Sequence, residues 1–226
     1  MEFTEKAIRM VPTWNMMNPS AKILSIVGKS AEEKVHSQGR VMADRSVLFK
    51  YINPNLGFVM SEMQDSSGKK ILSVYLVDLV TGRVVFSANH KRVSPPYHAV
   101  HSENWVVYTY YNEKVRRTEV GSLELFEGNV QTNATVFSSL STSMITPLVE
   151  RQSFILSVGG VAALRDTVTE KAITSKHILL ATSSGSLYEI PRHFLDPRRP
   201  NVNTPPEMRE PGLPPYIPEL ALPQVE

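Results

Sequence analysis

Two histidines and a glutamate, His98, His101 and Glu103, come closest to a metal site in their types and spacing. Imidazole nitrogens and carboxylate oxygens are ordinary ligands of zinc. The run around them predicts a strand, however, and residues 98 and 101 of a strand point to opposite faces. The three side chains therefore converge on one ion only if the strand bends. We expect them to form hydrogen bonds within a sheet and predict no metal ligands.

Other catalytic patterns are incomplete. Gly28-Lys29-Ser30 ends like a phosphate-binding loop, but Ile23 stands where the upstream glycine is required and no long helix follows. The sequence contains no G-x-S-x-G nucleophile elbow with a matching histidine and acid. The chain contains no cysteine, which excludes disulfides, thiolate catalysis and cysteine-ligated metals. We predict no catalytic residues, no cofactor and no enzymatic activity.

A D-x-x-T-G hairpin begins at Asp78. Asp78 can accept hydrogen bonds from turn amides, Thr81 adds a hydroxyl, and Gly82 tolerates a positive φ. The main interpretation is a structural turn. The functional alternative is a repeat resembling those of pyrroloquinoline-quinone propeller enzymes, whose docking motif continues to a tryptophan where this chain has Phe86. That departure argues against a quinone cofactor.

Asn133-Ala134-Thr135 is the usable N-glycosylation sequon, because Asn18-Pro19-Ser20 contains the forbidden proline. It lies in a polar insertion between about Gly128 and Thr146, where a glycan would be tolerated. We predict a glycan on Asn133.

The C-terminal residues are rich in proline: 10 of the 16 prolines lie from Pro191 onward. Proline lacks a backbone donor and restricts the preceding residue, so this segment should be extended. Arg198 and Arg199 lie in its LDPRRP start and could contact an acidic surface of a partner. The alternative is a solvated linker that runs over the domain edge.

Strand patterns dominate the remaining sequence, which predicts an all-β fold. Helix signals are few, and the best is at Ser30, where Ser30 could act as the cap and Glu33 could reach back to it before only about two turns of polar sequence. The predicted strands are Ile8 to Trp14, Ile23 to Val27, Val47 to Tyr51, Leu56 to Glu62, Ile71 to Asp78, Arg83 to Ala88, Trp105 to Tyr111, Ser122 to Glu127, Ser153 to Val158, Val161 to Arg165, His177 to Thr182 and Ser186 to Ile190.

Both faces of these strands are apolar. In the runs Ile71 to Asp78 and Trp105 to Tyr111, alternate positions on either face are largely hydrophobic, so both faces should be buried. Two-sided burial usually indicates a parallel sheet covered by helices. Helix signals are few here, and short turns such as Val80-Thr81-Gly82 and Ser183-Ser184-Gly185 join the strands. Stacked antiparallel sheets satisfy both observations.

A weak repeat of strand, strand, turn and strand starts near Leu56, Asn104 and Lys176. We predict that residues 1–190 form a partial β-propeller of about three to four quinoprotein-like blades of antiparallel strands, since blades recur every ~40–50 residues. Residues 191–226 are predicted to form a proline-rich strap or linker. Propellers normally close at about 4–8 blades, so we expect an incomplete ring that is completed by sequence outside this chain.

Several longer runs resemble the C-terminal lumenal region of the family of endoplasmic reticulum (ER) membrane protein complex subunit 1. The resemblance covers nearly the whole chain. The matching runs are GRVMADRSVLFKYINPN (Gly39 to Asn55), YLVDLVTGRVVFS (Tyr75 to Ser87), HAVHSENWVVYTYYN (His98 to Asn112), SLELFEG (Ser122 to Gly128), TVTEKAITSKHILLAT (Thr167 to Thr182) and LDPRRP (Leu195 to Pro200).

This resemblance implies a noncatalytic propeller scaffold on the lumenal side of the ER membrane, attached through a helix that this chain does not contain. It implies a role in a complex that inserts tail-anchored and multipass membrane proteins. The implied partners are other subunits of that complex, in particular the lumenal parts of subunits 7 and 10, and client membrane proteins. The formal net charge of +2 is too small to predict nucleic-acid binding.

Two other functions stay open at this point. One is a remnant of a quinone-dependent propeller dehydrogenase, which Phe86 argues against. The other is a cytosolic peptide-binding propeller, which would carry no glycan on Asn133.

Overall fold

The computed structural model describes residues 2–4, 7–9, 11–131, 146–220 and 222. In these residues helical turns occur only in two short 3-10 helices, Arg192–Leu195 and Pro206–Met208. The strands of the described residues are β1 (Glu2–Thr4), β2 (Ala7–Arg9), β3 (Lys22–Gly28), β4 (Gly39–Val41), β5 (Val47–Lys50), β6 (Leu56–Gln64), β7 (Lys70–Asp78), β8 (Val84–Lys91), β9 (Val93–Ser102), β10 (Trp105–Asn112), β11 (Arg117–Gly128), β12 (Leu148–Leu156), β13 (Val161–Asp166), β14 (His177–Thr182), β15 (Leu187–Pro191) and β16 (Glu219–Leu220).

Most of these strands form three antiparallel sheets that follow one another along the chain. The first sheet has the order β3-β6-β7-β8, the central sheet β9-β10-β11-β12 and the last sheet β13-β14-β15. The hairpin β4–β5 is inserted between the first two strands of the first sheet but pairs with β11 of the central sheet. Short connections join most of the paired neighbours, whereas residues 29–55 separate β3 from β6 and residues 129–147 separate β11 from β12. The prediction of an all-β chain of antiparallel sheets is confirmed.

Strand β10 lies between two hydrophobic cores. Val106, Tyr108 and Tyr110 belong to the core shared with the first sheet. Trp105 and Val107 belong to the core shared with the last sheet. Because successive strand residues point to opposite faces, one apolar run contributes side chains to both cores. Burial of each large apolar side chain stabilises the fold by about 1.5–3 kcal/mol. The expected burial of both faces is confirmed for this run.

The run around His98 and His101 predicts a strand, but β9 begins earlier, at Val93, although Pro95 and Pro96 argue against a strand interior. In the structure the pairing of β9 with β10 shifts register between Thr109 and Tyr111, opposite the prolines. The peptide bond between Pro95 and Pro96 is cis. The irregularity removes the prolines from the ladder, so the rest of β9 pairs normally with β10.

The helix signal at Ser30 does not produce a helix, because this segment forms a turn. The amide of Glu32 donates to Ser30 Oγ at 3.3 Å, as a capped turn would. The Glu33 carboxylate does not return to Ser30 but accepts from Ser102 Oγ at 2.7 Å and from the Glu103 amide at 2.8 Å. A single turn is too short to be stable alone, so these tertiary contacts decide its conformation.

Residues 191–220 run along the central sheet. Leu195 and Leu220 join the core between the central and last sheets. The Tyr216 hydroxyl donates to Ser153 O at 2.8 Å, and β16 pairs in parallel with β12. Strand β16 therefore covers the edge of β12 at its last two residues, Ile155 and Leu156.

Candidate functional site

Six charged side chains, here called the charged seam, lie where the C-terminal residues cross the central sheet. They are Arg40, Glu124, Arg192, Asp196, Arg198 and Glu210.

Arg40, from β4, lies at the centre of the charged seam. Its Nη1 is hydrogen-bonded to Asp196 Oδ2 and is 3.5 Å from Glu124 Oε2. Its Nε is 3.2 Å from Glu210 Oε2. Burial lowers the pKa of Arg40, but Asp196 and Glu124 outweigh it and raise that pKa overall. Arg40 thus stays charged and joins the β4–β5 hairpin to the C-terminal residues.

Glu124, from β11, is the seam carboxylate on the central sheet and is 5% exposed. Burial raises its pKa, although Arg192 and Arg40 favour the charged form. Arg192 Nη2 lies 3.3 Å from Glu124 Oε2, and its guanidinium stacks 5.1 Å from the centre of the Trp105 ring. Three guanidinium groups balance three carboxylates, so the seam is neutral when all six are charged.

The two arginines predicted to contact a partner are bonded within the chain. Arg198 is paired with Glu210 and lies 5.4 Å from the centre of the Phe126 ring. Arg199 donates to the carbonyls of Phe194 at 2.8 Å and Pro214 at 3.2 Å, and also to that of Pro215. These bonds tie one end of the proline-rich segment to the other. Contact of Arg198 or Arg199 with a partner stays a prediction.

Hydrogen bonds to two side chains close the predicted turn that begins at Asp78. Asp78 Oδ1 accepts from the amides of Val80 at 3.0 Å and Thr81 at 3.1 Å. Thr81 Oγ1 accepts from the Arg83 amide at 3.3 Å. Gly82 has a φ of +75°. Each of these features closes the turn between β7 and β8.

Sequence reasoning missed Trp14, which packs on this turn from the N-terminal side. Its indole Nε1 donates to Leu79 O at 3.0 Å, and its ring lies against Gly82. Phe86, where the quinoprotein motif has tryptophan, instead packs against the core between the first and central sheets. A tryptophan close to the N-terminus could have indicated a packing contact. The sequence pattern instead placed Trp14 at the end of a predicted strand, whereas the observed strand β2 ends at Arg9.

The three candidate metal ligands, His98, His101 and Glu103, form bonds with residues of three different strands. His98 Nε2 lies 3.0 Å from Val161 O, and His101 Nδ1 lies 3.3 Å from Val27 O. Glu103 Oε2 is 2.9 Å from Lys50 Nζ. Burial lowers the pKa of His101 to about 3, so its ring is neutral. Within the described ranges, no three histidine, aspartate or glutamate side chains are grouped to hold a metal ion.

A cavity of about 750 Å³ opens between β3, β9 and the loop that connects β13 to β14. Lys176, on its wall, has Nζ 3.3 Å from Glu33 Oε1 and 3.6 Å from Asp166 Oδ2. Near it, Lys29 Nζ donates to Asn53 O at 2.9 Å, and burial lowers its pKa to about 8. Lys176 thus connects two carboxylates from different segments, and Lys29 is bonded to a backbone carbonyl, so both lysines hold neighbouring segments together.

Asn133 lies outside the described residues, so its glycosylation stays a prediction. Among the residues that the structure does describe, no helix has the length and apolar character needed to cross a bilayer.

Comparison with known proteins gives a consistent match. Residues 2–225 match the family described as "ER membrane protein complex subunit 1, second beta-propeller". The protein named ER membrane protein complex subunit 1 is 44% identical to the chain in Gallus gallus, over 96% of the chain and 22% of the relative. In Xenopus laevis the identity is 45%, over 92% of the chain and 21% of the relative.

The protein of the same name from Schizosaccharomyces pombe is 31% identical, over 88% of the chain and 22% of its own length. The chain thus spans about a fifth of the length of these relatives.

Proposed function

Because the chain belongs to the family of ER membrane protein complex subunit 1, within its second β-propeller region, we propose that it is a noncatalytic scaffold segment of that complex. It acts on the lumenal side of the ER membrane and supports insertion of tail-anchored and multipass membrane proteins. Its partners are other subunits of the complex, with the lumenal parts of subunits 7 and 10 foremost, and client membrane proteins. A helix elsewhere in the full-length protein attaches it to the membrane.

The observation that carries this proposal is the burial of the central sheet on both faces. β10 contributes side chains to two cores, and β16 pairs with the last two residues of β12. Sheets that share cores in this way move little relative to each other, because closely packed interiors resist deformation. Such a body is suited to holding partners at fixed positions on its surface.

The pairing of charges supports a structural role for the buried ionisable residues. The charged seam joins β4, β11 and the C-terminal residues, and Lys50 joins β5 to Glu103. We propose the same division of the chain that the sequence predicts: a partial propeller in residues 1–190 and a strap in residues 191–226. In this arrangement the strap fastens the hairpin β4–β5 and the central sheet to each other.

The experiment is affinity purification of the tagged full-length protein from detergent-solubilised ER membranes, followed by mass spectrometry. We expect the other subunits of the complex to be recovered in amounts comparable with the tagged protein. An ER membrane protein with the same tag is the control. Recovery of the folded full-length protein without those subunits would contradict the proposal. Recovery with peptide ligands from a cytosolic fraction would favour the cytosolic propeller instead.

A further inference from the structure

Five exposed basic residues lie on three turns, or on the last strand residue before one of them, at one end of the first and central sheets. This basic turn cluster consists of Lys69, Lys91, Arg92, Lys114 and Arg116. Within the described residues, none of these side chains forms a hydrogen bond or an ion pair. Their neighbours differ in this respect, because Lys70 pairs with Glu62 and Arg117 pairs with Glu219.

Arg92 brings the turns together. It is the single residue between β8 and β9, where the chain passes from the first sheet to the central sheet. Its amide donates to Lys70 O at 3.0 Å, beside the turn between β6 and β7. Its carbonyl accepts from the Glu113 amide at 2.9 Å, in the turn between β10 and β11. The three turns that carry the cluster are thus fixed to one another by backbone hydrogen bonds.

Two of the cluster's arginines have a backbone conformation that favours glycine. Arg92 has a φ of +59° and Arg116 a φ of +55°. Residues with a side chain rarely adopt this region, whereas glycine does so without strain. Gly68, with a φ of +75°, shows that glycine is used at the adjacent turn. The positive φ is not specific to the cluster, because exposed Arg45 has a φ of +69° on the β4–β5 turn. It makes glycine a substitution that removes the charge of Arg92 or Arg116 without straining the turn.

The charge of the cluster is local. The whole chain has a formal net charge of only +2, yet five cations are collected on three neighbouring turns. Hydrogen bonds from neutral donors do not remove the charge of a carboxylate, so Asp65, which also interacts electrostatically with Lys69, and Glu119 offset part of the charge of the cluster. Glu113 is the exposed carboxylate among them. A surface of this kind attracts an anionic partner and orients it.

We propose that the basic turn cluster is a docking site for an acidic segment of another protein. Guanidinium groups on rigid turns suit carboxylates, because their fork of donors matches two carboxylate oxygens. A membrane surface fits less well, since Val115 is the exposed aliphatic side chain on the turn between β10 and β11 and no exposed aromatic residue flanks it there. The proposal rests on the turns alone and does not require the function proposed above.

The test uses the full-length protein and a fluorescein-labelled peptide of Glu-Ser repeats, with binding measured by fluorescence anisotropy. Arg92→Gly with Arg116→Gly removes two charges and relieves both backbones. We expect binding to weaken about tenfold while the melting temperature stays equal or rises. Binding of the unmodified protein should also fall steeply with added salt.

Arg45→Gly is the matched control. Arg45 is exposed and has a φ of +69°, but it lies on the β4–β5 turn. That hairpin pairs with β11 at Phe126 and Gly128, the end of β11 opposite to Arg117. We expect this variant to bind the peptide like the unmodified protein.

A second variant, Lys91→Gln with Lys114→Gln, changes no strained position and should also weaken binding severalfold. Equal losses for Arg45→Gly and for the cluster variants would overturn the proposal, as would undiminished binding of the cluster variants. Preferential binding to phosphatidylserine-containing vesicles over the peptide would overturn it in favour of a lipid surface.

Discussion

The ring of Trp14 occupies the space where a side chain at position 82 would have to lie. A Cβ added to Gly82 would come within 2.7 Å of Trp14 Cγ and Cδ2, and the same indole donates to Leu79 O at 3.0 Å. Two separate features therefore favour glycine at position 82 in the turn between β7 and β8: the positive φ and the contact with the Trp14 ring.

Substitution Gly82→Ala should separate these two reasons when it is compared with Gly68→Ala. Both glycines have a φ of +75°, but an added Cβ at Gly68 meets nothing within 4 Å. We expect Gly68→Ala to cost about 1–2 kcal/mol, the penalty of the left-handed backbone. Gly82→Ala should cost about 1–3 kcal/mol more, because the methyl group is forced into the indole. Denaturant unfolding of both variants measures the difference, and equal losses would show that the Trp14 contact is unimportant.

Removal of the central cation from the charged seam should be strongly destabilising. Arg40→Met leaves Glu124, Asp196 and Glu210 with two arginines between them, and we expect a loss of about 3–5 kcal/mol because a buried charge becomes uncompensated. The control is Arg117→Met, whose pair with Glu219 is 50% and 54% exposed and should contribute less than about 1 kcal/mol. Similar losses in the two variants, measured by thermal unfolding, would contradict a structural role for the seam.

Acidification should destabilise the fold partly through His101. Its pKa is lowered to about 3 by burial and by Lys29, while Glu33 acts in the opposite direction. The unfolded chain binds the proton near pH 6.5, so between about pH 6.5 and pH 3 the unfolded state holds more protons and stability falls as pH falls. At pH 5 this amounts to about 2 kcal/mol relative to neutral pH.

His101→Asn tests this assignment. The asparagine amide can replace Nδ1 as the donor to Val27 O but does not titrate. We expect the variant to lose less stability than the unmodified protein between pH 7 and pH 5, as followed by circular dichroism. An unchanged pH dependence would mean that His101 does not contribute to it.

Asn133 should carry a glycan in protein made in mammalian cells. Treatment with peptide N-glycosidase should shift the electrophoretic mobility of the full-length protein, and Asn133→Gln should remove this site's share of the shift. Thr135→Ser keeps the sequon and should keep the glycan, whereas Thr135→Ala should abolish it. Mass spectrometry that finds unmodified Asn133 in ER-derived protein would contradict the prediction.

Much of the fold could be predicted from local sequence. Alternation along Trp105 to Tyr111 reports burial on both faces, and the structure places those faces in two cores. The short turns predict antiparallel neighbours, and the sheets follow that order. These features depend on residues that are close in sequence, because side-chain direction alternates at every residue of a strand.

Tertiary structure decided the contacts of the charged residues. Arg40 and Asp196 are 156 positions apart, and Glu33 leaves its own turn for Ser102, which is 69 positions away. Each charged side chain had several possible partners of opposite sign, and only the folded backbone brings one within hydrogen-bonding distance. The same holds for Arg199, whose donors are taken by carbonyls of its own strap. Sequence periodicity determined the sheets, whereas pairing across long separations determined how the sheets and the strap are fastened together.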